Sequence, residues 1–168
     1  AAALPADGDP RPENDDRAHR ARAQLINALL PNALVAGPMM MAWLQTTAHR
    51  LWVADGPAAW LAGPVAASGF GLISARGDYH SGYRIARHLL VEAERRGWER
   101  SAAELRFILI SWAGHWHERL EDVLPVARAA FTGLTRLGAT TQAGLTCSGL
   151  AAYLLDTGSV GALDEQVT

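Results

Sequence analysis

The chain has 168 residues, with 17 acidic and 15 basic side chains and a formal net charge of −2. That length suits one domain able to bury a sizeable core, and the near-neutral balance argues against a nucleic-acid-binding module, which would show a basic face or stripe. Every basic residue is arginine, and the single cysteine, Cys147, excludes both an internal disulfide framework and a cysteine-rich zinc site.

Residues 1–16 carry Pro5, Gly8, Pro10 and Pro12 among acidic residues and read as a flexible linker. They show no positive stretch followed by an apolar core, so they are not a signal peptide, and the expected location is the cytoplasm. The chain opens at Ala1 without an initiator Met and stops within a helical pattern, which leads us to expect a piece of a longer protein.

From residue 17 the periodicity predicts seven or eight helices, near 17–36, 38–54, 57–75, 78–97, 101–114, 117–137, 139–156 and 159–168. Gly37-Pro38 ends the first and gives the second a proline in its first turn. The second helix has a weak stripe through Met40, Trp43, Leu44, Thr47, Ala48 and Leu51. Asp55-Gly56-Pro57 is a strong stop and restart. From Asp78 a full stripe runs through Tyr79, Gly82, Tyr83, Ala86, Leu89, Leu90 and Ala93, with arginines off it and Glu92 placed to pair with Arg96. Gly97 behind Arg95-Arg96 reads as a C-terminal cap, and Ser101-x-x-Glu104 as a capping box. A third stripe, from His117, uses Leu120, Val123, Leu124, Ala127, Ala130, Phe131, Leu134 and Leu137, with Pro125 expected to kink the helix. Gly138 and Gly158 close the later helices. No stretch alternates with period two, so strands are not expected.

Residues 23–48, 56–75 and 137–155 lack formal charge and are long enough to span a bilayer. Their Asn, Gln, Thr and Pro content argues instead for helices enclosed within a helical array, so no membrane contact is expected. The turns at Gly37, Gly77, Gly114 and Gly158 recur roughly every 40 residues, a little longer than the ~34 of a regular tetratricopeptide unit. The expected fold class is therefore all-α: antiparallel helix-pair repeats, a tetratricopeptide-like α-α superhelix over 17–168, with a generic helical bundle as the rival.

The sequence carries little chemistry. Without lysine there is no P-loop lysine, and Gly69-x-Gly71 lacks the third glycine and preceding strand of a dinucleotide fingerprint. His115-Trp116-His117-Glu118 is the densest cluster, yet histidines two apart on a helix face opposite ways and share a metal poorly. His80 and His88 lie too far apart to chelate together. Cys147 reads as a buried thiol, and Glu121-Asp122 diverge too far for an acid/base pair. Of the six tryptophans, most should pack, while some could line a ligand groove. No catalytic, cofactor-binding or metal-binding residue is assigned, and no cofactor is expected.

Two segments carry a resemblance. Arg76-Gly77-Asp78-Tyr79-His80-Ser81-Gly82-Tyr83-Arg84 is similar to the G-D-x-x-x-G-Y helix opening in a helical region of very large bacterial signalling proteins. Those proteins join a serine/threonine kinase-like domain to an AAA-type ATPase domain and a tetratricopeptide-like region, often followed by sensor or output modules. His115-Trp116-His117-Glu118-Arg119-Leu120-Glu121-Asp122-Val123-Leu124-Pro125 resembles the same family's H-W-x-x-x-L-x-x-x-L-P. The resemblance runs from about residue 20 to the C-terminus and departs at Gly138-Ala139, where the family usually has Gly-Asp. It implies fold and domain context but no active site. The resulting expectation is a non-catalytic scaffold in a signalling ATPase, kinase or transcriptional regulator. Its partner would be a protein or another domain of the same chain, with self-association through exposed repeat ends. The alternative is a small-molecule sensor with an apolar, Trp-lined pocket.

Overall fold

Short glycine-bearing turns leave successive helices nowhere to go but back along their predecessors. The computed structural model describes residues 9–158 and, among them, contains seven α-helices and no strand. They are α1 (Arg17–Ala36), α2 (Pro38–Asp55), α3 (Ala59–Arg76), α4 (Tyr79–Arg95), α5 (Glu99–Trp112), α6 (Leu120–Arg136) and α7 (Thr140–Asp156). A single 3₁₀ turn, Gly114–Trp116, separates α5 from α6. The helix expected at 159–168 lies outside the described residues.

Local chemistry sets the ends. The Asp16 carboxylate accepts the His19 N–H at 2.8 Å to start α1, and Asp78 accepts the Ser81 N–H at 3.0 Å to start α4. Gly97 adopts φ 70°, which lets the Trp98 N–H reach back to the Ala93 carbonyl at 2.9 Å and closes α4 as expected. The capping box at Ser101 does not form. Trp98 already caps α5 through its carbonyl, and the Ser101 hydroxyl donates instead to the Ala59 carbonyl on α3, at 2.8 Å.

Each helix packs on the next, and the odd-numbered helices α1, α3, α5 and α7 also pack on one another in order. The even-numbered helices lean on their odd neighbours, which gives two layers, one continuous and one spaced. This arrangement explains the absence of charge in the middle stretch, 56–75, whereas the other two lie at the ends of the array and leave Leu25, Leu29, Trp43 and Leu145 exposed instead of enclosed. Helix α3 touches α1, α2, α4 and α5, and every residue from Leu61 to Ala67 is buried. Leu44, Trp52, Leu61, Val65, Leu89, Leu105 and Leu109 belong to the main core, and Val123, Ala127, Ala130 and Leu150 to a second cluster under α6 and α7. None of the described helices is long and apolar enough to cross a membrane.

Helices α3 and α4 cross at two glycines. A Cβ on Gly69 would lie 2.7 Å from the Gly82 carbonyl oxygen, and one on Gly82 would lie 2.7 Å from Ile73 Cγ1. The glycine of the G-D-x-x-x-G-Y segment thus serves close helix approach.

Two expectations need correction. The composition of residues 1–16 reads as a flexible linker; residues 1–8 lie outside the described residues, but residues 9–16 are docked on the helices. Asn14 donates its backbone N–H to the Pro57 carbonyl at 2.9 Å and its amide to the Asp55 carbonyl at 2.6 Å, while Arg11 reaches the carbonyls of Trp52 and Val53. A charge-rich segment can dock without burying apolar surface when its partners are the unsatisfied groups of helix ends. Second, Gly114 is not a turn equivalent to Gly37, Gly77 and Gly158, all of positive φ; it opens the 3₁₀ turn. As a result α6 begins at Leu120, later than the stripe from His117 suggests, and Trp116 stands outside the helix.

Candidate functional site

The Arg76–Arg84 and His115–Pro125 segments meet in space. The first turns of α4, started by Gly77 and Asp78, lie beside the 3₁₀ turn that follows α5. The turn is held by N–H groups of His117 and Glu118 that both donate to the Gly114 carbonyl, at 2.9 and 2.8 Å. Gly114 is buried, and a Cβ there would lie 3.2 Å from the Leu109 carbonyl oxygen, so the turn is pressed against the end of α5.

This juxtaposition builds an aromatic platform. Tyr79 and Trp116 lie 4.9 Å apart between ring centroids, and the His117 ring is 4.7 Å from Tyr83 and 5.8 Å from His80. The Tyr83 hydroxyl donates to the Glu118 carboxylate at 2.5 Å. Burial, and then the hydrogen bond to Glu118, push the Tyr83 hydroxyl up to about 12. On the far side of the turn, His115 lies between Trp116 and Tyr153 of α7, with the Tyr153 oxygen 3.5 Å from His115 Nδ1. Tyr153 donates to the Ile110 carbonyl, and burial raises its ionisation as well. Tyr79 is 38% and Trp116 59% exposed, so the platform faces solvent over a supported base.

His115 and His117 address different helices, and no group of three or more His, Cys, Asp or Glu side chains with metal-holding geometry occurs among the described residues. His88 is half-buried, further along α4. Cys147 is half-buried on α7, and Glu121 and Asp122 are exposed in the first turn of α6, where negative charge suits the helix dipole.

The tryptophans divide by role. Trp52 is 1% exposed and meets Trp98 edge to face at 6.3 Å, and Trp112 packs on Phe70 at 4.8 Å. Trp60 lies under the Arg100 guanidinium at 5.2 Å, while Trp43 and Trp116 are exposed. The best-formed crevices among the described residues, beside Phe70 and Trp112 and beside Leu109 and Val123, have no room for a water molecule.

A polar locus missing from the sequence expectations lies over α3. Gly63 has Asn27 Oδ1 of α1 and Glu104 Oε2 of α5 within 3.5 Å of where its Cβ would be, so both side chains lean over the missing side chain. Burial pushes the Glu104 carboxyl up, against the opposing pull of Arg100 and the Asn27 amide. The three residues stand far apart in sequence, and only the packing of α1, α3 and α5 brings them together.

Fold and site together define an all-α protein of paired helices bearing an exposed aromatic platform. No protein-family model, curated protein or solved structure matches the chain.

Proposed function

We propose that the chain is a non-catalytic helical-repeat scaffold, tetratricopeptide-like in its superhelix. It docks a protein partner or another domain of its own chain within a cytoplasmic bacterial signalling ATPase, kinase or transcriptional regulator. The observation that carries this reading is the exposed Tyr79–Trp116 pair, set on helix ends that Tyr83–Glu118 ties together. Tyr and Trp supply large contact area for little lost side-chain entropy and dominate interface hot spots. The continuous odd layer beside a spaced even layer is the packing a curved array requires. Self-association through the array's ends belongs to the same reading; Leu25, Leu29, Met40 and Trp43 on the first pair, and Leu145 and Leu155 on α7, are exposed. The sensor reading draws less support, since the best-formed crevices are closed to water.

The test is a photoreactive benzophenone side chain at position 116, compared with position 128 on the exposed side of α6, using the neighbouring domains of the parent protein as bait. Crosslinking at 116 alone, lost with Tyr79→Ala, supports the reading. Equal crosslinking at both positions, or none at either, overturns it.

A further inference from the structure

Residues 9–16 are bound in the manner of a peptide ligand. Their one buried member is Asp9, and Pro10 and Pro12 are exposed, so the segment adds no apolar side chain to the core. It is held by polar groups alone. The Glu13 carboxylate accepts the first free N–H of α3, from Ala59, at 3.1 Å and the Trp98 indole N–H at 2.8 Å. Arg96 donates to the carbonyls of Asp9 and Arg11 at 2.6 and 2.8 Å, and Arg95 to that of Asp9 at 3.3 Å. Asn14 bonds the α2–α3 turn, and Arg11 donates to the Trp52 and Val53 carbonyls near the end of α2 at 2.9 and 2.8 Å.

The receiving surface is braced by contacts that do not involve the segment. Glu92, 2% exposed, holds Arg95 at 2.7 Å and also binds Arg96, and Arg96 lies over the Trp98 ring at 5.1 Å. A buried carboxylate with two guanidiniums fixed above it is a preorganised acceptor-binding site. The surface offers donors on one side, two guanidiniums, an indole N–H and a helix-start N–H, and acceptors on the other, the carbonyls of Trp52, Val53, Asp55 and Pro57. A segment that combines a carboxylate and free backbone carbonyls with a guanidinium and an amide is the complement.

We infer that this groove at the α2–α3 and α4–α5 turns is a peptide-recognition site which residues 9–16 occupy in cis. Its ligand in trans is a non-helical protein segment with the pattern Arg-x-Glu-Asn, matching Arg11-Pro12-Glu13-Asn14. The cis segment acts as a competing pseudo-ligand. Tethering gives it an effective concentration on the order of millimolar, so a partner must outcompete it or meet it already released. Release is favoured by salt, because the contacts are charged and near the surface.

The probe is a fluorescein-labelled peptide with the sequence Asp9-Pro10-Arg11-Pro12-Glu13-Asn14-Asp15-Asp16, titrated by anisotropy against the full chain. The double variant Glu13→Ala/Asn14→Ala should bind it at least tenfold more tightly than the wild type, and adding Arg96→Ala should abolish binding. Circular dichroism confirms that each variant is folded. The second measurement uses the wild-type chain: excess unlabelled peptide should speed hydrogen exchange at the Asn14 amide, which is bonded to Pro57. Absence of saturable binding to the double variant overturns the assignment, as does peptide binding that leaves Asn14 exchange unchanged. If the double variant does not fold, the wild-type exchange measurement decides alone.

Discussion

The Tyr83 hydroxyl donates to the Glu118 carboxylate at 2.5 Å and so fastens the start of α4 to the chain that follows the 3₁₀ turn. The bond joins the Gly77–Arg84 segment to the His115–Pro125 segment, beside the tilted contact of the Tyr83 and His117 rings. Because burial and Glu118 raise Tyr83 to about 12, folding favours its protonated form. Its contribution to stability is therefore complete below about pH 10, the ordinary tyrosine value, and lost as pH rises toward 12. Ultraviolet titration should resolve one tyrosine ionising near that value. Glu118→Gln should lower it only in part, since burial is the larger cause. Tyr83→Phe should cost about 1 kcal/mol at neutral pH and remove the high titration. A tyrosine profile unchanged by Tyr83→Phe would rule out the arrangement.

The crossing of α3 and α4 predicts a contrast among glycines. Gly82→Ala places a methyl 2.7 Å from Ile73 Cγ1 and 2.8 Å from the Gly69 carbonyl, and backbone cannot step aside as a side-chain end can. Overpacking of about 1–3 kcal/mol then outweighs the gain in helix propensity. Gly144 and Gly149 on α7 have nothing within 4 Å of the added methyl. There the same substitution should stabilise by roughly 0.5–1 kcal/mol. Urea unfolding of the three single variants checks both signs. A neutral Gly82→Ala would mean that the two helices do not approach this closely.

Tryptophan substitutions should separate packing from display. Trp52 fills the core beside Trp98, so Trp52→Ala should lose about 3–5 kcal/mol. Trp116 makes ring contacts with Tyr79 and His115 only at the surface and stays 59% exposed, so Trp116→Ala should change stability by less than about 1 kcal/mol. Thermal melts of the two variants provide the comparison. A large loss at Trp116 would make it a structural plug and weaken the docking proposal.

The helices were legible because local signals agree with the packing. Gly97 and Gly138 end α4 and α6 where the stripes end, and Leu89, Leu90, Ala93, Val123, Ala127 and Leu134 are buried as their spacing requires. What could not be read depends on contacts between distant residues. Ser101 carries a capping-box pattern, but Ala59 on α3 offers its hydroxyl a better partner. Trp116 shares a helical phase with Leu120 and Leu124, yet Gly114 sends the chain into a 3₁₀ turn that puts the indole outside. Residues 9–16 have a linker's composition, and nothing local announces that Ala59 and Trp98 wait for Glu13. The platform was half visible. His115–Glu118 stood out as a cluster, whereas its partners Tyr79, His80 and Tyr83 join it only through the packing of helices α3, α4 and α5.

Two carboxyls should answer pH in opposite senses. Burial alone would raise Glu92, but hydrogen bonds from Arg95 and Arg96 hold it below the ordinary 4.5. Its contribution is therefore intact above about pH 4.5 and lost as pH falls through its lower folded value. Glu104 is raised by burial despite Arg100 and Asn27, so the folded state takes up its proton first. Between 4.5 and that higher value stability rises as pH falls, and at neutral pH the buried charge is a cost. Glu104→Gln keeps the hydrogen-bonding shape opposite Asn27 and should stabilise the chain at pH 7 by up to about 1 kcal/mol, a gain that vanishes below pH 4.5. Glu92→Gln leaves two guanidiniums without their carboxylate and should cost about 3 kcal/mol at pH 7, with the loss shrinking as the medium is acidified. Urea unfolding at pH 7 and pH 4 distinguishes the two, and equal effects at both pH values would contradict the assigned shifts.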